Sequence, residues 1–264
     1  MSKKIIALAL LAGILVTPGF PGEKKFAFAL RGGFYSPSSS TFNKGSVPPT
    51  NLELEYFASI LRAAGVSPAI NKLDKMGWAM TLGGEIEVYL WPRISVALAA
   101  ECWRSTRRAS VEAPGGGGAG SGFSGFNYQF EVTASLIPIF TTVRYHFGLP
   151  LKGLAFHVGG GAGYCLARIG MAWNSPYVGS DTLESKGSAF VFHLSGGCEL
   201  RIFEFLSAAL DIRYPLGKIK EFMIVESSRS TEKKLAFTDE NGEMQVFQWE
   251  LNGPNIGLFL KFRF

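Results

Sequence analysis

The stretch Leu258-Phe-Leu-Lys-Phe-Arg-Phe264 constrains the fold more than any other part of the chain. In an extended strand successive side chains point to opposite faces. Leu258, Leu260, Phe262 and Phe264 then share one face, while Phe259, Lys261 and Arg263 share the other. The segment predicts a strand with one face in an apolar medium, and it closes on an aromatic residue with no polar tail.

The same alternation recurs in eight segments, at residues 26–35, 78–90, 94–104, 128–147, 154–166, 189–202, 206–214 and 255–264. Phe26, Phe28, Leu30 and Phe34 oppose Arg31; Met80, Leu82, Ile86 and Val88 oppose Thr81, Glu85 and Glu87; Leu210, Ile212 and Tyr214 oppose Asp211 and Arg213. A soluble domain could also bury 47% hydrophobic residues with 22 Phe and 18% charged, so the arrangement decides rather than the percentage. No apolar run reaches the ~20 residues a membrane helix needs. Alternating segments of about ten residues are what membrane-spanning strands show. An unpaired backbone group in hydrocarbon costs several kcal/mol, and only helices and closed barrels avoid it. The expected fold is all-β, a transmembrane antiparallel up-and-down barrel of eight strands.

The connections alternate in length. Short links fall near residues 91–93, 148–153 and 203–205; long ones near 37–76, 109–126, 174–188 and 216–250. Short periplasmic turns and long external loops follow that pattern. In the last long link, residues 235–238 and 243–251 flank Asn241-Gly242, a hairpin signal. They would extend the final strands or raise the count to ten; eight is the expected number. Pro138 predicts a bulge in the fourth strand, with Glu131, Thr133 and Ser135 inward before it and Arg144 and His146 inward after it. Within the first long link, Leu54, Phe57, Ile60 and Leu61 have helical spacing over 52–64. That short amphipathic helix would cap the mouth, lie in the membrane interface or bind a partner.

Lys3-Lys4, the apolar run 5–16 and Thr17-Pro-Gly19 read as a secretory signal peptide, giving residues 1–19 as the signal and 20–264 as one barrel domain. Cys165 is placed inward, Cys102 and Cys198 outward, so free thiols are expected.

The inward positions carry Arg31, Glu85, Glu87, Glu101, Glu131, Arg144, Glu199, Arg201, Asp211, Arg213, Lys261 and Arg263. Acidic and basic groups nearly balance. An eight-stranded cylinder leaves room only for side chains, and an unpaired buried ion is very costly. The lumen is therefore expected to be plugged by a charge network of Arg31, Glu85, Glu87, Glu101, Arg144, Glu199, Asp211, Arg213 and Lys261. Arg31 is expected to pair with Glu85 or Glu87.

With its paired ends, aromatic C-terminus, Ser36-Pro-Ser-Ser-Ser40 and glycine-rich fifth strand, the chain resembles the small outer-membrane β-barrel superfamily. That group includes the outer-membrane protein A transmembrane domain and its eight-stranded relatives. The resemblance implies the outer membrane of a Gram-negative envelope, a monomer, contact with outer-membrane lipids and lipopolysaccharide, and handling by periplasmic chaperones and the barrel-assembly machinery. It also implies that Leu258, Leu260, Phe262 and Phe264 act as the C-terminal assembly signal. A formal charge of +5 fits an anionic partner. Members of the superfamily are structural anchors, adhesins, narrow pores or lipid-modifying enzymes. A non-enzymatic structural or interaction barrel acting through its external loops is expected; a narrow porin-like pore or transporter for small solutes is the alternative.

Catalytic motifs are weak. Gly159-Gly-Gly-Ala-Gly163 lacks the following helix of a dinucleotide site, and Gly115-Gly-Gly-Gly-Ala-Gly120 lacks the Lys-Ser or Lys-Thr of a phosphate loop. Neither nucleotide nor nucleic acid is expected. His193-Leu-Ser195 is similar to the His-x-Ser pair of outer-membrane lipid A deacylases, and two residues apart on a strand they share a face. Gly196 stands where that motif has Asn, and the pair is placed inward, away from lipid, so a lipid A-modifying hydrolase is the remote alternative. His146, His157 and His193 lack metal-ligand spacing. No metal, cofactor or catalytic residue is expected.

Overall fold

The computed structural model describes residues 25–38, 40–45, 47–115, 125–148, 153–176, 179–227, 234–238 and 243–264. The signal segment 1–19 and the Asn241-Gly242 turn lie outside the described residues, as does most of the 148–153 link. Long alternating runs give long strands: β1 (Phe26–Tyr35), β3 (Ala79–Trp91), β4 (Ile94–Ala113), β5 (Phe126–Gly148), β6 (Leu154–Ser175), β7 (Gly179–Arg201), β8 (Leu206–Leu216) and β14 (Asn255–Arg263). Shorter elements fill the long connections. These are α1 (Ser40–Gly45), α2 (Val47–Ala63), β2 (Ala69–Asn71), β9 (Lys218–Ile219), β10 (Met223–Ser227), β11 (Ala236–Thr238), β12 (Met244–Val246) and β13 (Trp249–Glu250).

The eight long strands form an antiparallel, ring-like sheet. Each pairs with its neighbours in the order β1-β3-β4-β5-β6-β7-β8-β14, and β14 pairs back to β1. At the β1–β14 seam Ala27 faces Arg263 and Tyr35 faces Asn255. No helix among the described residues is long and apolar enough to cross a membrane.

Two long connections predicted between strands are in part strand. β4 runs to Ala113 and β5 starts at Phe126; β6 runs to Ser175 and β7 starts at Gly179. The sheet thus rises well beyond the ring on this side. Above the β7–β8 pairing, which ends at Phe192 and Leu216, the edge of β7 pairs with β10 instead. Residues 236–238 and 244–246 form a separate two-stranded sheet and do not add to the ring.

The expected bulge at Pro138 is absent. β5 keeps one register against β6 from Gln129↔Asn174 to Gly148↔Ala155, with Pro138 opposite Cys165. Even-numbered residues point inward along its whole length, so Val132, Ala134 and Leu136 are buried while Glu131, Thr133 and Ser135 face outward. Polarity inverts there and parity does not. The upper strand has an apolar packed interior and a polar exterior, as in a soluble protein, and the lower strand has the reverse.

Helix α2 supplies much of that upper interior. Val47, Leu54, Ala58 and Leu61 are buried on one face. They belong to one core with Trp103, Ala109, Val111, Phe126 and Tyr128 from the inward faces of β4 and β5. The Phe57 ring packs, tilted, 5.8 Å from that of Phe126 and 5.1 Å from that of Tyr128. Pro48 and Pro49 sit in the first turn, where their missing N–H groups are not needed. The helix ends at Ala63, and just beyond it Gly65 has a φ of +78°, which few other residues adopt. There the Val66 N–H donates to the Leu61 carbonyl at 2.9 Å and the Gly65 N–H to Arg62 at 3.0 Å, closing the last turn. On its exposed side the Lys72 ammonium, 2.9 Å away, holds the Glu55 carboxyl below the usual carboxylate range. Its buried face thus covers the upper interior, the first of the three roles open to this helix.

Candidate functional site

Every one of the eight ring strands sends polar or charged side chains into the interior, where they are buried. Five carboxylates, Glu85, Glu87, Glu101, Glu199 and Asp211, meet five cations, Arg31, Arg144, Arg213, Lys261 and Arg263. A formally neutral set is the arrangement that burial demands.

The ion pairs form two linked tiers. In the upper tier Glu101 accepts from Arg31, from Arg213 at 2.5 Å and from the Asn255 amide at 2.7 Å. Arg144 pairs with Glu85 through both ends of its guanidinium, the second contact at 2.7 Å. Arg213 reaches Glu85 at 3.4 Å, and Asp211 lies 3.6 Å from Arg31 and 3.0 Å from His157 Nε2. In the lower tier Lys261 bridges Glu87 at 2.5 Å and Glu199 at 3.0 Å. Arg263 also binds Glu199, and His146 Nε2 sits 3.2 Å from Glu87. Arg144, 3.5 Å from Glu87, joins the tiers.

All nine residues of the expected charge network are brought into this interior, but Arg31 has a different partner from the one expected. Glu85 lies opposite Ala29 and Glu87 opposite Ala27, two and four residues nearer the short-turn rim than Arg31. Arg31 lies opposite Gly83, and Gly83 lies opposite Glu101. With no side chain on Gly83, the guanidinium and the carboxylate meet across an intervening strand. On its other side Arg31 packs 5.0 Å from the Phe259 ring and leans over Gly257, where a Cβ would fall 2.1 Å from Nε.

Glu131 points outward, for the reason given by the unbroken β5 register, and Arg201 is exposed at the short-turn rim. Asn255, Ser95, His146 and His157 belong to the interior set although charge alone does not single them out. Their signal is parity: Asn255, Ser95 and His146 share the inward face of their strands with Lys261, Glu101 and Arg144, and His157 shares that of β6 with the buried Cys165.

Above the ion pairs lies an aromatic cover. The Trp103 indole N–H donates to the Tyr35 carbonyl at 3.0 Å, and the Tyr35 hydroxyl donates to the Leu251 carbonyl. Trp249 crosses Trp103 at 5.6 Å and Phe222 crosses Phe247 at 5.3 Å. Between cover and ion pairs, Tyr35, Phe140, Cys165, Val191, Leu251 and Asn255 line a cavity of about 10 Å³. That is at the lower limit for holding one water.

His193 and Ser195 do not form a base and nucleophile pair. His193 Nε2 bonds to the Thr142 hydroxyl at 2.9 Å and its ring packs 4.6 Å from Phe140. Among the described residues Ser195 Oγ has no hydrogen-bond partner, and both side chains are buried inside the ring. Among the described residues no cluster of His, Cys, Asp or Glu has metal-binding geometry. Cys102, Cys165 and Cys198 are free thiols, with Cys165 buried inside and Cys102 exposed outside.

The outer surface is the inverse of the interior. On β7 the outward residues Leu200, Leu194, Phe192 and Phe190 are all more than half exposed. Ten steps of ~3.3 Å at a tilt of ~40° give a height of ~25 Å, that of a membrane barrel's apolar band. Above it the outward positions become Ser188, Lys186, Glu184 and Thr182. Leu30, Phe34, Met80, Leu82, Ile86, Ile212, Leu258 and Leu260 continue the band on the other strands. Of the remaining residues expected at the C-terminal face, Phe262 is partly exposed and Phe264 is 72% exposed.

No family model and no curated protein matches the sequence. Among solved structures, the chain is similar at low identity to small outer-membrane β-barrel proteins. A major outer membrane protein from Thermus thermophilus aligns at 12% identity and TM-score 0.45, over 92% of this chain and 100% of that one. OprG from Pseudomonas aeruginosa aligns at 14% and 0.41, over 92% and 99%. The N-terminal β-barrel domain of Pseudomonas aeruginosa OprF aligns at 13% and 0.38, over 91% and 98%.

Proposed function

We propose that this chain is an eight-stranded barrel of the bacterial outer membrane with a closed lumen, serving a structural or interaction role through its external half. The observation that carries this reading is the inversion of polarity between the two storeys. Below, large apolar side chains face outward around the ring while five carboxylates and five cations pair inside. Water would not favour so large a continuous apolar belt, whereas a bilayer requires it. Above, the polarity is that of a soluble domain, with α2 and the aromatic cover packed into the mouth.

A pore needs a continuous wet path. The guanidinium layer and the aromatic cover oppose one. Lipid hydrolysis would need His193 and Ser195 hydrogen-bonded and open to lipid, and they are neither. Recording from planar bilayers containing the purified protein tests the reading. Absence of discrete conductance steps is expected; steady open channels in symmetric salt would overturn the closed lumen and favour the solute pore.

A further inference from the structure

The exposed face of α2 interrupts the polar exterior of the upper storey. Opposite the buried Leu54, Ala58 and Leu61, the side chains of Leu52, Tyr56 and Ile60 are each at least half exposed. Four residues apart, they stand on one ridge of the helix, and exposed Pro49 and Ala63 lie at its two ends. Ser59 shares the ridge, and its hydroxyl donates to the Tyr56 carbonyl at 2.7 Å, so it needs no partner outside the helix. A row of large apolar side chains left in water on an otherwise polar surface marks an interaction site.

Charges flank the ridge. Glu55 and Arg62, two turns apart, lie along one side of it, and Glu53 lies along the other. Glu55 and Arg62 are only 3.6 Å apart and both are accessible, so each can take a further partner. The flanks argue against a lipid surface as the cover. A helix that lies on an anionic membrane is rich in Lys and Arg on its polar face, whereas α2 carries two glutamates and one arginine.

The ridge is complementary to itself. In an antiparallel pair of α2 helices centred between Phe57 and Ala58, Leu52 meets Ala63 of the second copy and Tyr56 meets Ser59. Each large side chain then faces a small one, as close helix packing requires. Glu55 of each copy comes beside Arg62 of the other, and a twofold interface makes that contact twice. On the remaining flank Ile60 lies along the methylenes of Glu53. A parallel pair would instead set Glu55 against Ile60 and leave the charges unmatched. We infer that the exposed ridge of α2 binds the same ridge of a second copy of this chain. The protein is then a twofold dimer joined through its external storey, not the monomer that the resemblance implies. The inference rests on the reading that this storey stands outside the membrane.

The test uses the full protein in detergent micelles, followed by sedimentation velocity over a series of concentrations. A reversible monomer–dimer equilibrium is expected, weakened at least tenfold in Leu52→Gln/Tyr56→Gln. Glu55→Arg and Arg62→Glu should each weaken it at least tenfold when alone, because like charges then meet across the twofold axis. Mixed in equal amounts, the two variants should dimerise with each other as the wild type does, because every Arg then faces a Glu. A wild type that stays monomeric at every concentration would overturn the inference. So would a dimer indifferent to these substitutions, or a mixture no tighter than its components. Each sample is also run on a gel with and without boiling. A heat-dependent mobility shift throughout means that a failure to associate belongs to α2 alone, whereas its absence in the wild type would overturn the membrane-barrel reading itself.

Discussion

Arg31 and Glu101 form an ion pair although their strands do not touch; β3 runs between them, and the residue of β3 in their shared cross-strand row is Gly83. A Cβ at Gly83 would come 2.9 Å from the Glu101 Cγ and 2.4 Å from the Ala100 carbonyl oxygen. The Arg31 guanidinium occupies the space left by Gly257, and Glu101 crowds the space left by Gly83. The interior is narrow enough for one such layer of charge to fill it.

Removing Arg31 leaves Glu101 with Arg213 and Asn255, but it also leaves five carboxylates facing four cations. Breaking a buried pair from one side typically costs ~3–5 kcal/mol. Arg31→Ala should therefore lower unfolding stability in guanidinium by about that amount. Arg31→Met with Glu101→Gln, which removes both charges, should recover most of it. Unchanged midpoints for Arg31→Ala would mean that the pair contributes nothing.

The glycine-rich β6 is built for close approach. A Cβ at Gly161 would lie 1.9 Å from the Thr141 carbonyl oxygen, whereas one at Gly170 finds open space. Gly161→Ala should cost about 1–3 kcal/mol, as overpacking does, and Gly170→Ala should stay within about 0.5 kcal/mol of wild type. Equal stability of the two variants in the same unfolding assay would contradict the close approach of β5 and β6.

Much of this is legible in the sequence because burial on one face of a strand forces a period of two. The eight ring strands, the inward parity of Arg31, Glu85, Asp211 and Lys261, and the outward parity of Leu258 and Leu260 follow from it. Heights do not follow. Parity says which face a residue takes but not how far two strands are staggered, so the sequence pairs Arg31 with Glu85 or Glu87 where the structure pairs it with Glu101. Around Pro138 the sequence pattern misleads for a different reason. Polar Glu131, Thr133 and Ser135 read as inward because the lower half of the strand has a polar interior, whereas α2 makes the upper interior apolar. A phase slip and a change of medium leave the same mark on the sequence, and only the partner strand's register separates them.

The seam between β1 and β14 closes the ring, and its last pairs involve Phe262 and Arg263. Arg263 also donates to Glu199 and, through its backbone, to the Phe205 carbonyl. Deleting residues 262–264 removes these contacts together with the outward Phe264, so we propose that this end is needed for assembly. Membrane fractionation should find the truncated protein degraded or left in the periplasm. Normal yield in the outer membrane would refute that role.

Site-directed spin labelling in bilayers tests the inverted polarity most directly. With Cys102, Cys165 and Cys198 replaced by alanine, a nitroxide is placed at Leu194, in the middle of the apolar band on β7, or at Lys186 on the same outward face. The label at Leu194 should relax with dissolved oxygen and be shielded from a water-soluble nickel complex, with the reverse at Lys186. Equal access of the nickel complex to both positions would contradict a lipid-facing band and, with it, the barrel as described.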